Sequence, residues 1–314
     1  MPAQFVEFIL QKGCNYLSLH KTELIGSLSL KNASSKLLYL DMDHWTSDAK
    51  NDTELIGSCH NLQKLSIKSL FLTSDLARHI GIQNGQTLKV LNLECVNISY
   101  YWQLQTGYPL QTLQIIIDNC VNLEEISFMS DKNNVPLIED TISYLVNNLT
   151  EKLRQLKLDM QPNLKDEHVK TLVSRCKRIT ALDLSHCKIT DVSIDHIMNY
   201  LSPTLEKLNV NGCHKISDTK IMKLKSMPKL KVLHFAHLSL IVEMQMLKTE
   251  LSHLSINEEK LRIAGKRRVS HFDSFLLMLQ LFTLLKIFFY FRFFNKNMDF
   301  GKLRLDRFKC SKHL

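Results

Sequence analysis

Leucine and other apolar residues recur along most of the chain in the spacing LxxLxL. The clear copies are Leu62/Leu65/Ile67, Leu88/Leu91/Leu93, Leu123/Ile126/Phe128, Leu153/Leu156/Leu158, Ile179/Leu182/Leu184, Leu205/Leu208/Val210 and Leu230/Leu233/Phe235. Weaker copies are Leu37/Leu40/Met42, Leu251/Leu254/Ile256 and a fragment at Leu17/Leu19. We take the middle residue of each copy as its marker, at positions 17, 40, 65, 91, 126, 156, 182, 208, 233 and 254. The steps between markers are 23, 25, 26, 35, 30, 26, 26, 25 and 21 residues.

This period predicts one strand and one helix in each repeat. About 26 residues accommodate a strand, a turn, a helix and a return loop, whereas paired-helix repeats need about 34 to 47. The LxL alternation puts two side chains on one face, as a strand with one buried face requires. A helical spacing follows in the stretch 190–201, where Val192, Ile197 and Leu201 recur.

Residues that favour helix N-termini stand where these helices should begin. Thr190 or Asp191 is expected to cap one helix, and Ser217 with Asp218 is expected to do the same one repeat later.

A single strand–helix unit cannot bury its own apolar face, but stacked units bury it against their neighbours. We therefore predict an α/β leucine-rich-repeat solenoid over residues 1–259, with about nine to ten repeats. A curved parallel sheet is expected on its concave side and helices on its convex side. The leucines are interpreted as core rather than as a cofactor site.

The basic charge of the chain is concentrated at its C-terminal end. Of 40 Lys+Arg and 31 Asp+Glu, 13 and 3 lie from Lys260 onward, which gives the tail +10 and the rest −1. A neutral body argues against a nucleic-acid-binding surface there.

The eight cysteines are predicted to be free, buried thiols. The opening residues, MPAQFVEFILQKGC, lack the basic and continuous apolar regions of a signal sequence, which favours a reducing compartment, cytoplasmic or nuclear. Zinc is the alternative, but Cys176, His186 and Cys187 lack the paired spacing of a tetrahedral site. We expect no metal and no cofactor.

Two repeats resemble a particular subtype of leucine-rich repeat. Residues 176–191 read CKRITALDLSHCKITD and residues 205–218 read LEKLNVNGCHKISD, while Cys59 and Cys120 begin partial copies. These look like the cysteine-containing repeats, CxxLxxLxLxxCxxITD, of F-box/leucine-rich-repeat proteins, and the resemblance spans about residues 14–257. The second cysteine is matched only by Cys187 and Cys213, so a regular ladder of capping side chains is expected in two repeats alone.

The resemblance implies the substrate receptor of a Skp/cullin/F-box ubiquitin ligase, acting in proteasomal protein degradation. It implies that the repeats hold the target while an F-box binds the Skp adaptor. No F-box with an LPxE start precedes the repeats. We therefore expect a fragment of a longer protein, with Skp adaptor and cullin as partners only if an F-box lies upstream. The alternative is a ligase-independent scaffold or assembly factor, anchored to a membrane if its tail inserts.

Side chains that flank the buried leucines should project from the concave side and bind a protein target. These candidates are Lys64, Lys68, Asn92, Glu94, Glu125, Lys157, Asp159, Asp183, Lys207, Asn209 and His234. Their mixed charges suit protein recognition better than phosphate binding. The alternative is that these side chains bind no partner and are simply hydrated on an exposed sheet.

The longest step between markers, 35 residues, leaves room for an aromatic loop with Tyr100, Tyr101, Trp102 and Tyr108. This loop is a candidate binding loop, or alternatively it folds back onto the side of the repeat array.

The tail, residues 260–314, does not continue the repeat. Ten of the chain's fifteen Phe lie from Phe272 onward, and residues 275–294 have the length of a bilayer span. Three interpretations compete: a membrane anchor, a helix that caps the end of the solenoid, and a mistaken extension of the reading frame, which we favour.

Motifs of common enzymes are absent from the sequence. It contains no GxxxxGK[ST], GxGxxG, HExxH or GxSxG. We therefore predict a binding module without catalytic residues.

Overall fold

The computed structural model describes residues 1–30, 36–43, 45–69, 72–95, 110–129 and 136–235, with strand residues 255–256 and 310–311. The chain divides into two units, Met1–Asn257 with Lys309–Leu314, and Glu258–Phe308. Every element described below belongs to the first unit. The apolar stretch 275–294 and the aromatic insertion with Tyr100 to Tyr108 lie outside the described residues.

Short strands form one sheet in chain order. The strands are β1 (Tyr16–Ser18), β2 (Tyr39–Met42), β3 (Lys64–Ser69), β4 (Val90–Cys95), β5 (Glu125–Met129), β6 (Gln155–Lys157), β7 (Ala181–Asp183), β8 (Lys207–Asn209), β9 (Val232–His234), β10 (Ser255–Ile256) and β11 (Cys310–Ser311). From β1 to β10 each strand pairs in parallel with the next, and β11 pairs antiparallel with β1 at the edge. Parallel pairing in sequence order requires a crossover after every strand, which the helices supply.

The register of the sheet follows the predicted markers. The paired row runs through Leu17, Leu40, Leu65, Leu91, Ile126, Leu156, Leu182, Leu208 and Leu233. The last predicted marker, Leu254, is wrong, because Ile256 is the residue that pairs with Leu233. A shift of two residues keeps the same side chains on the same face, so alternation alone could not exclude it.

Helices lie between successive strands over most of the array. They are α1 (Ala3–Gln11), α2 (Ala49–Gly57), α3 (Ser74–Arg78), α4 (Leu110–Asn119), α5 (Glu139–Asn148), α6 (Asp166–Arg175), α7 (Asp191–Leu201) and α8 (Asp218–Lys223). A π-helical turn at His79–Gln83 continues α3, and a 3-10 turn at Leu224–Ser226 continues α8. Neighbouring helices from α2 to α7 contact each other in order, as the strands do. The chain is thus a leucine-rich-repeat solenoid with a sheet layer and a helical layer.

One of the two predicted helix caps is confirmed. Thr190 precedes α7, and its hydroxyl oxygen accepts a hydrogen bond from the backbone N–H of Val192 at 3.2 Å. Ser217 precedes α8 but does not cap it. Its hydroxyl and its backbone N–H instead donate to the carboxylate of Asp191 in the preceding repeat, at 2.6 and 2.7 Å. The predicted capping role of Ser217 is wrong, because its hydroxyl is turned toward the carboxylate of the preceding repeat and accepts no bond from a backbone N–H of α8.

The markers and their neighbours form one continuous core. Leu65 and Leu91 are fully buried, and Leu208 is 1 % exposed. Helix residues such as Ile197 and Leu201 belong to the same cluster, which runs from Ala3 to Phe235. The predicted core role of the leucines is confirmed. Each repeat stabilises its neighbours because truncating one such buried leucine typically costs about 2 to 5 kcal/mol.

Cys187 and Cys213 connect adjacent repeats through their thiols. The thiol of Cys187 donates to the carbonyl of Leu158, and that of Cys213 to the carbonyl of Leu184, both at 3.1 Å. Gln161, at the corresponding position one repeat before Cys187, instead accepts from the backbone N–H of Leu137 at 2.8 Å. At this second cysteine position, thiol-to-carbonyl bonds between the described repeats are therefore made by the two expected residues, while Cys176, at the first cysteine position, also donates to the carbonyl of Thr150 at 3.6 Å.

Left-handed turns recur four residues after the marker. Lys21, Met160, His186 and Gly212 have φ of 54°, 56°, 58° and 70°. The backbone N–H of Met160 donates to the carbonyl of Ser185 at 2.9 Å, which extends the inter-repeat bonding past the strand. The turn sends the chain out of the sheet layer toward the helical layer.

Candidate protein-binding face

The side chains one residue before and one residue after each marker, together with Asp159, which Ser185 connects to Asp183, form a surface that we call the open face of the sheet. On β3 and β6 to β9 these side chains are exposed or half-buried while the marker between them is buried. This alternation follows from the two-residue period of a strand. The open face is the side of the sheet that the sequence predicted to be concave.

A depression of about 330 Å³ occupies the open face from β4 to β9. Seven of the candidate residues line it: Asn92, Glu125, Lys157, Asp183, Lys207, Asn209 and His234. Small side chains such as Ser127 and Ala181 stand among them, and their short length leaves the space. The sequence therefore placed most of its candidate residues on one continuous surface.

The other candidates do not line this depression. Lys64 lines a second depression of about 190 Å³ at the N-terminal end of the sheet, with Tyr16, Tyr39, Asp41 and Asp43. The backbones of Lys68 and Glu94 are paired in register, but their side chains lie outside the described residues. The same holds for Tyr100, Tyr101, Trp102 and Tyr108 as whole residues.

The N-terminal depression contains residues that the sequence analysis did not single out. The rings of Tyr16 and Tyr39 are 6.4 Å apart between centroids. Asp41 accepts from the hydroxyl of Ser18 at 3.1 Å, and Asp43 lies 3.4 Å from the imidazole of His20. The LxxLxL copies in these first repeats are incomplete, yet the positions beside their markers could have identified three of these residues, Tyr16, Tyr39 and Asp41, although not Asp43.

Asp159 and Asp183 approach each other on the C-terminal half of the open face. The hydroxyl of Ser185 lies 2.8 Å from the Asp159 carboxylate and 2.5 Å from that of Asp183. Asp183 also accepts from the amide of Asn209 at 2.9 Å and from the backbone N–H of Ser185 at 3.0 Å. These donors fix the orientation of both carboxylates and satisfy part of their hydrogen-bonding capacity.

The lysines on the same face differ from these aspartates in their contacts. In the residues that the structure describes, the ammonium groups of Lys64, Lys157 and Lys207 form no ion pair and no hydrogen bond. Lys207 stands between Ala181 and Val232 in the register, so neither neighbouring strand offers it a polar partner. Lys157 has Asp183 beside it on β7, but the donors above already hold that carboxylate.

The described cysteines are free and buried, as predicted. Burial raises the pKa of Cys59 to about 11 and that of Cys120 to about 12. Burial also raises the pKa of Cys187 far above that of an exposed thiol. At neutral pH these thiols are protonated, which suppresses nucleophilic and metal-binding chemistry because both need the thiolate.

One group of potential metal ligands occurs on the helical side. Glu139, Glu167 and His168 present ligand atoms within 4.8 Å of one another. Nδ1 of His168 accepts from the backbone N–H of Lys165, and its Nε2 lies 3.1 Å from the hydroxyl of Ser143. Both ring nitrogens are therefore already engaged, and Glu139 pairs with the ammonium of Lys165. Burial lowers the pKa of His168, so the ring is neutral at pH 7.

Comparison with known proteins identifies the repeat family. The sequence profile of the SKP2 LRR domain matches residues 4–271. The chain belongs to this leucine-rich-repeat family. F-box/LRR-repeat protein 17 of Arabidopsis thaliana is 23 % identical to this SKP2-type chain over 211 residues, which are 67 % of the chain and 29 % of that relative. The chain thus spans less than a third of the length of the relative.

Two solved structures are similar to parts of the chain. Rad7 in complex with Elc1 from yeast is 16 % identical, with a TM-score of 0.45, over 72 % of the SKP2-type chain and 62 % of the other. The tropomodulin C-terminal domain of Caenorhabditis elegans is 10 % identical, with a TM-score of 0.36, over 50 % of the chain and 98 % of the domain.

In the part of the chain that the structure describes, no helix combines the length and the apolar character needed to cross a bilayer.

Proposed function

We propose that this SKP2-type repeat array is the target-binding part of a Skp/cullin/F-box ubiquitin ligase, and that its open face holds the protein to be degraded. The observation that carries the proposal is the depression on β4 to β9, where polar side chains surround small ones on a rigid sheet. A preorganised surface of this kind lowers the entropic cost of binding a partner. Membership of the SKP2-type family supports the ligase context.

We propose no catalytic step for the chain itself. Its described thiols are buried and protonated at neutral pH, and free thiols suit the reducing cytoplasm or nucleus. Within the tail, residues 260–314, Cys310 and Ser311 pair with β1 of the array, and the preceding residues 260–308 are proposed to form a segment that is not part of the repeats. Membrane fractionation of the chain with and without residues 270–314 tests the anchor interpretation of that segment.

Partner capture tests the binding role of the open face. The full chain carrying Lys64→Glu, Lys68→Glu and Lys157→Glu is expected to lose proteins that co-purify with the unchanged chain. A matched control reverses Lys50, Lys170 and Lys223, which are exposed on helices α2, α6 and α8. Equal melting temperatures for both variants establish that each folds. Undiminished capture by this variant, and also by a variant with Asp159→Lys and Asp183→Lys, would refute the binding role.

The ligase context requires a separate measurement. The proposal expects the Skp adaptor to co-purify with the full-length product of the transcript. If the adaptor is absent while other partners remain, the array functions instead as a scaffold that recruits no ligase. Sequencing the transcript upstream of Met1 identifies the segment that would bind the adaptor.

A further inference from the structure

On the open face, the described carboxylates have hydrogen-bond partners within the chain, whereas the described lysines do not. Each described carboxylate there accepts a hydrogen bond from within the chain: Asp41 from Ser18, Glu125 from Gln155, Asp159 from Ser185 and Asp183 from Asn209. In contrast, Lys64, Lys157 and Lys207 have no such partner among the described residues. The negative groups of this mixed-charge surface therefore already accept hydrogen bonds within the chain, while the ammonium groups of the three lysines are available to a partner.

We infer that the open face recognises an acidic, unmodified segment of its protein target through Lys64, Lys157 and Lys207. The inference rests on the proposed function and specifies the chemistry of the partner. An incoming carboxylate gains a full ion pair with each lysine. An incoming cation must compete with internal donors for Asp159 and Asp183, so it gains less.

The spacing of the lysines sets the length of this segment. Lys64, Lys157 and Lys207 stand on β3, β6 and β8, and neighbouring strands are about 4.8 Å apart. Three strand steps and then two give about 14 and 10 Å across the sheet. Lys157 follows its marker whereas Lys64 and Lys207 precede theirs, so Lys157 is also displaced by two residues along its strand, which lengthens the two spacings to about 16 and 12 Å. An extended chain advances about 3.4 Å per residue, and its alternate side chains face the same side. Acidic side chains at the first, fifth and ninth positions of an extended segment would therefore face the three lysines in turn.

A phosphate group fits the same surface less well. The register places Asp183 on β7, between Lys157 on β6 and Lys207 on β8. A phosphate drawn to both ammonium groups would lie near this carboxylate and be repelled by it, and its higher charge makes the repulsion larger. Single carboxylates that meet the lysines one at a time avoid the repulsion. We therefore assign the partner as a Glu- or Asp-rich segment rather than a phosphorylated one.

Peptide binding to the full chain tests the inference. Three fluorescein-labelled nine-residue peptides of Gly and Ser carry Glu, Gln or Lys at positions 1, 5 and 9, and anisotropy is measured at low ionic strength. The Glu peptide is expected to bind tightest and the Lys peptide weakest. The chain with Lys64→Glu, Lys157→Glu and Lys207→Glu should bind the Glu peptide about tenfold more weakly, from roughly two- to threefold per exposed pair. The same variant should prefer the Lys peptide.

The control variant reverses Lys50, Lys170 and Lys223 and has the same net charge. It should keep at least half of the affinity for the Glu peptide. Equal losses in the two variants, no preference among the peptides, or no binding of the Glu peptide would each overturn the inference. Tighter binding of a peptide with one phosphoserine at position 5 and Gln at positions 1 and 9 would overturn the choice of an unmodified segment.

Failure of this inference can be told from failure of the proposed function. If Asp159→Lys with Asp183→Lys abolishes partner capture while the lysine reversals do not, the open face binds proteins but not acidic ones. If neither pair of changes affects capture, the binding role of the face itself fails.

Discussion

The repeats around β7 and β8 and the earlier repeats around β2 to β4 use different side chains to satisfy buried backbone groups of adjacent repeats. In the later repeats, Cys187 and Cys213 donate to carbonyls one repeat away. In the earlier ones, Asn51 accepts from the backbone N–H of Leu28 at 2.8 Å, and Asn84 bridges adjacent repeats. The requirement is general because an unpaired buried backbone group is costly, but no particular residue type is required.

This difference explains why only part of the array resembles the cysteine-containing subtype. Asp166 and Asp191 also act between repeats in the later region, where each carboxylate accepts from the residue that precedes the next helix. The earlier region uses Trp45, whose indole donates to Asp52 at 3.0 Å within its own repeat. Repeats can therefore be equally well buried while only some carry a recognisable polar motif.

The largest effect is expected from removing the bridge in the earlier repeats. Asn84 is 1 % exposed, accepts from the N–H of Leu62 at 3.0 Å, and donates to the carbonyls of Cys59 and His79 at 2.9 and 2.8 Å. Asn84→Ala leaves these three backbone groups without that partner and should lower the free energy of unfolding by about 3 kcal/mol. Urea denaturation measures it. Asn92→Ala on the open face is the control, with an expected change below about 0.5 kcal/mol.

The turn after β8 should be the next most sensitive position. Gly212 has φ +70°, and a Cβ there would lie 2.3 Å from Nδ1 of His186. Gly212→Ala should cost about 2 kcal/mol, since left-handed backbone costs about 1 to 2 kcal/mol without counting the clash. In a His186→Ala background the cost should fall to about 1 kcal/mol. Equal costs in both backgrounds would show that the ring is not the obstacle.

A smaller, pH-dependent effect should come from the buried thiols. Burial raises the pKa of Cys59 from 9.0 to about 11, so the folded chain holds this proton more tightly than the unfolded chain. The stabilisation is fully present below pH 9 and is lost as the pH rises toward 11, by about 1 kcal/mol at pH 10. Cys59→Ala should show a correspondingly weaker decline between pH 8 and 10. Parallel declines in urea midpoint would contradict this assignment.

The smallest effect is expected at the first left-handed turn, which corresponds to Gly212 but carries a side chain. Lys21 is exposed and has φ 54°. Lys21→Gly should raise the free energy of unfolding by about 0.5 kcal/mol, because relief of backbone strain slightly exceeds the entropic cost of glycine. Lys12→Gly, a substitution at the C-cap of α1 where φ is −72°, should bring no such gain.

The sequence predicted the strand positions and most of the open face because both follow from one hydrophobic period. Leu65, Leu91 and Leu156 are paired as their spacing required. The final register at Ile256 did not follow, because two alternating positions fit the same face equally well. The bond from Ser217 to Asp191 was also missed, since helix-cap preferences describe bonds within one repeat.

The sequence by itself determined which side chains are core and which face outward, since a strand's two-residue alternation and the repeat period are local properties. Only the tertiary structure decided which outward charges are already satisfied. Ser185, two residues beyond the end of β7, bonds to Asp159 26 residues earlier, and Asn209 bonds to Asp183 at the same separation. Such pairs form across the sheet, so the availability of Lys157 depends on its neighbours in space rather than along the chain.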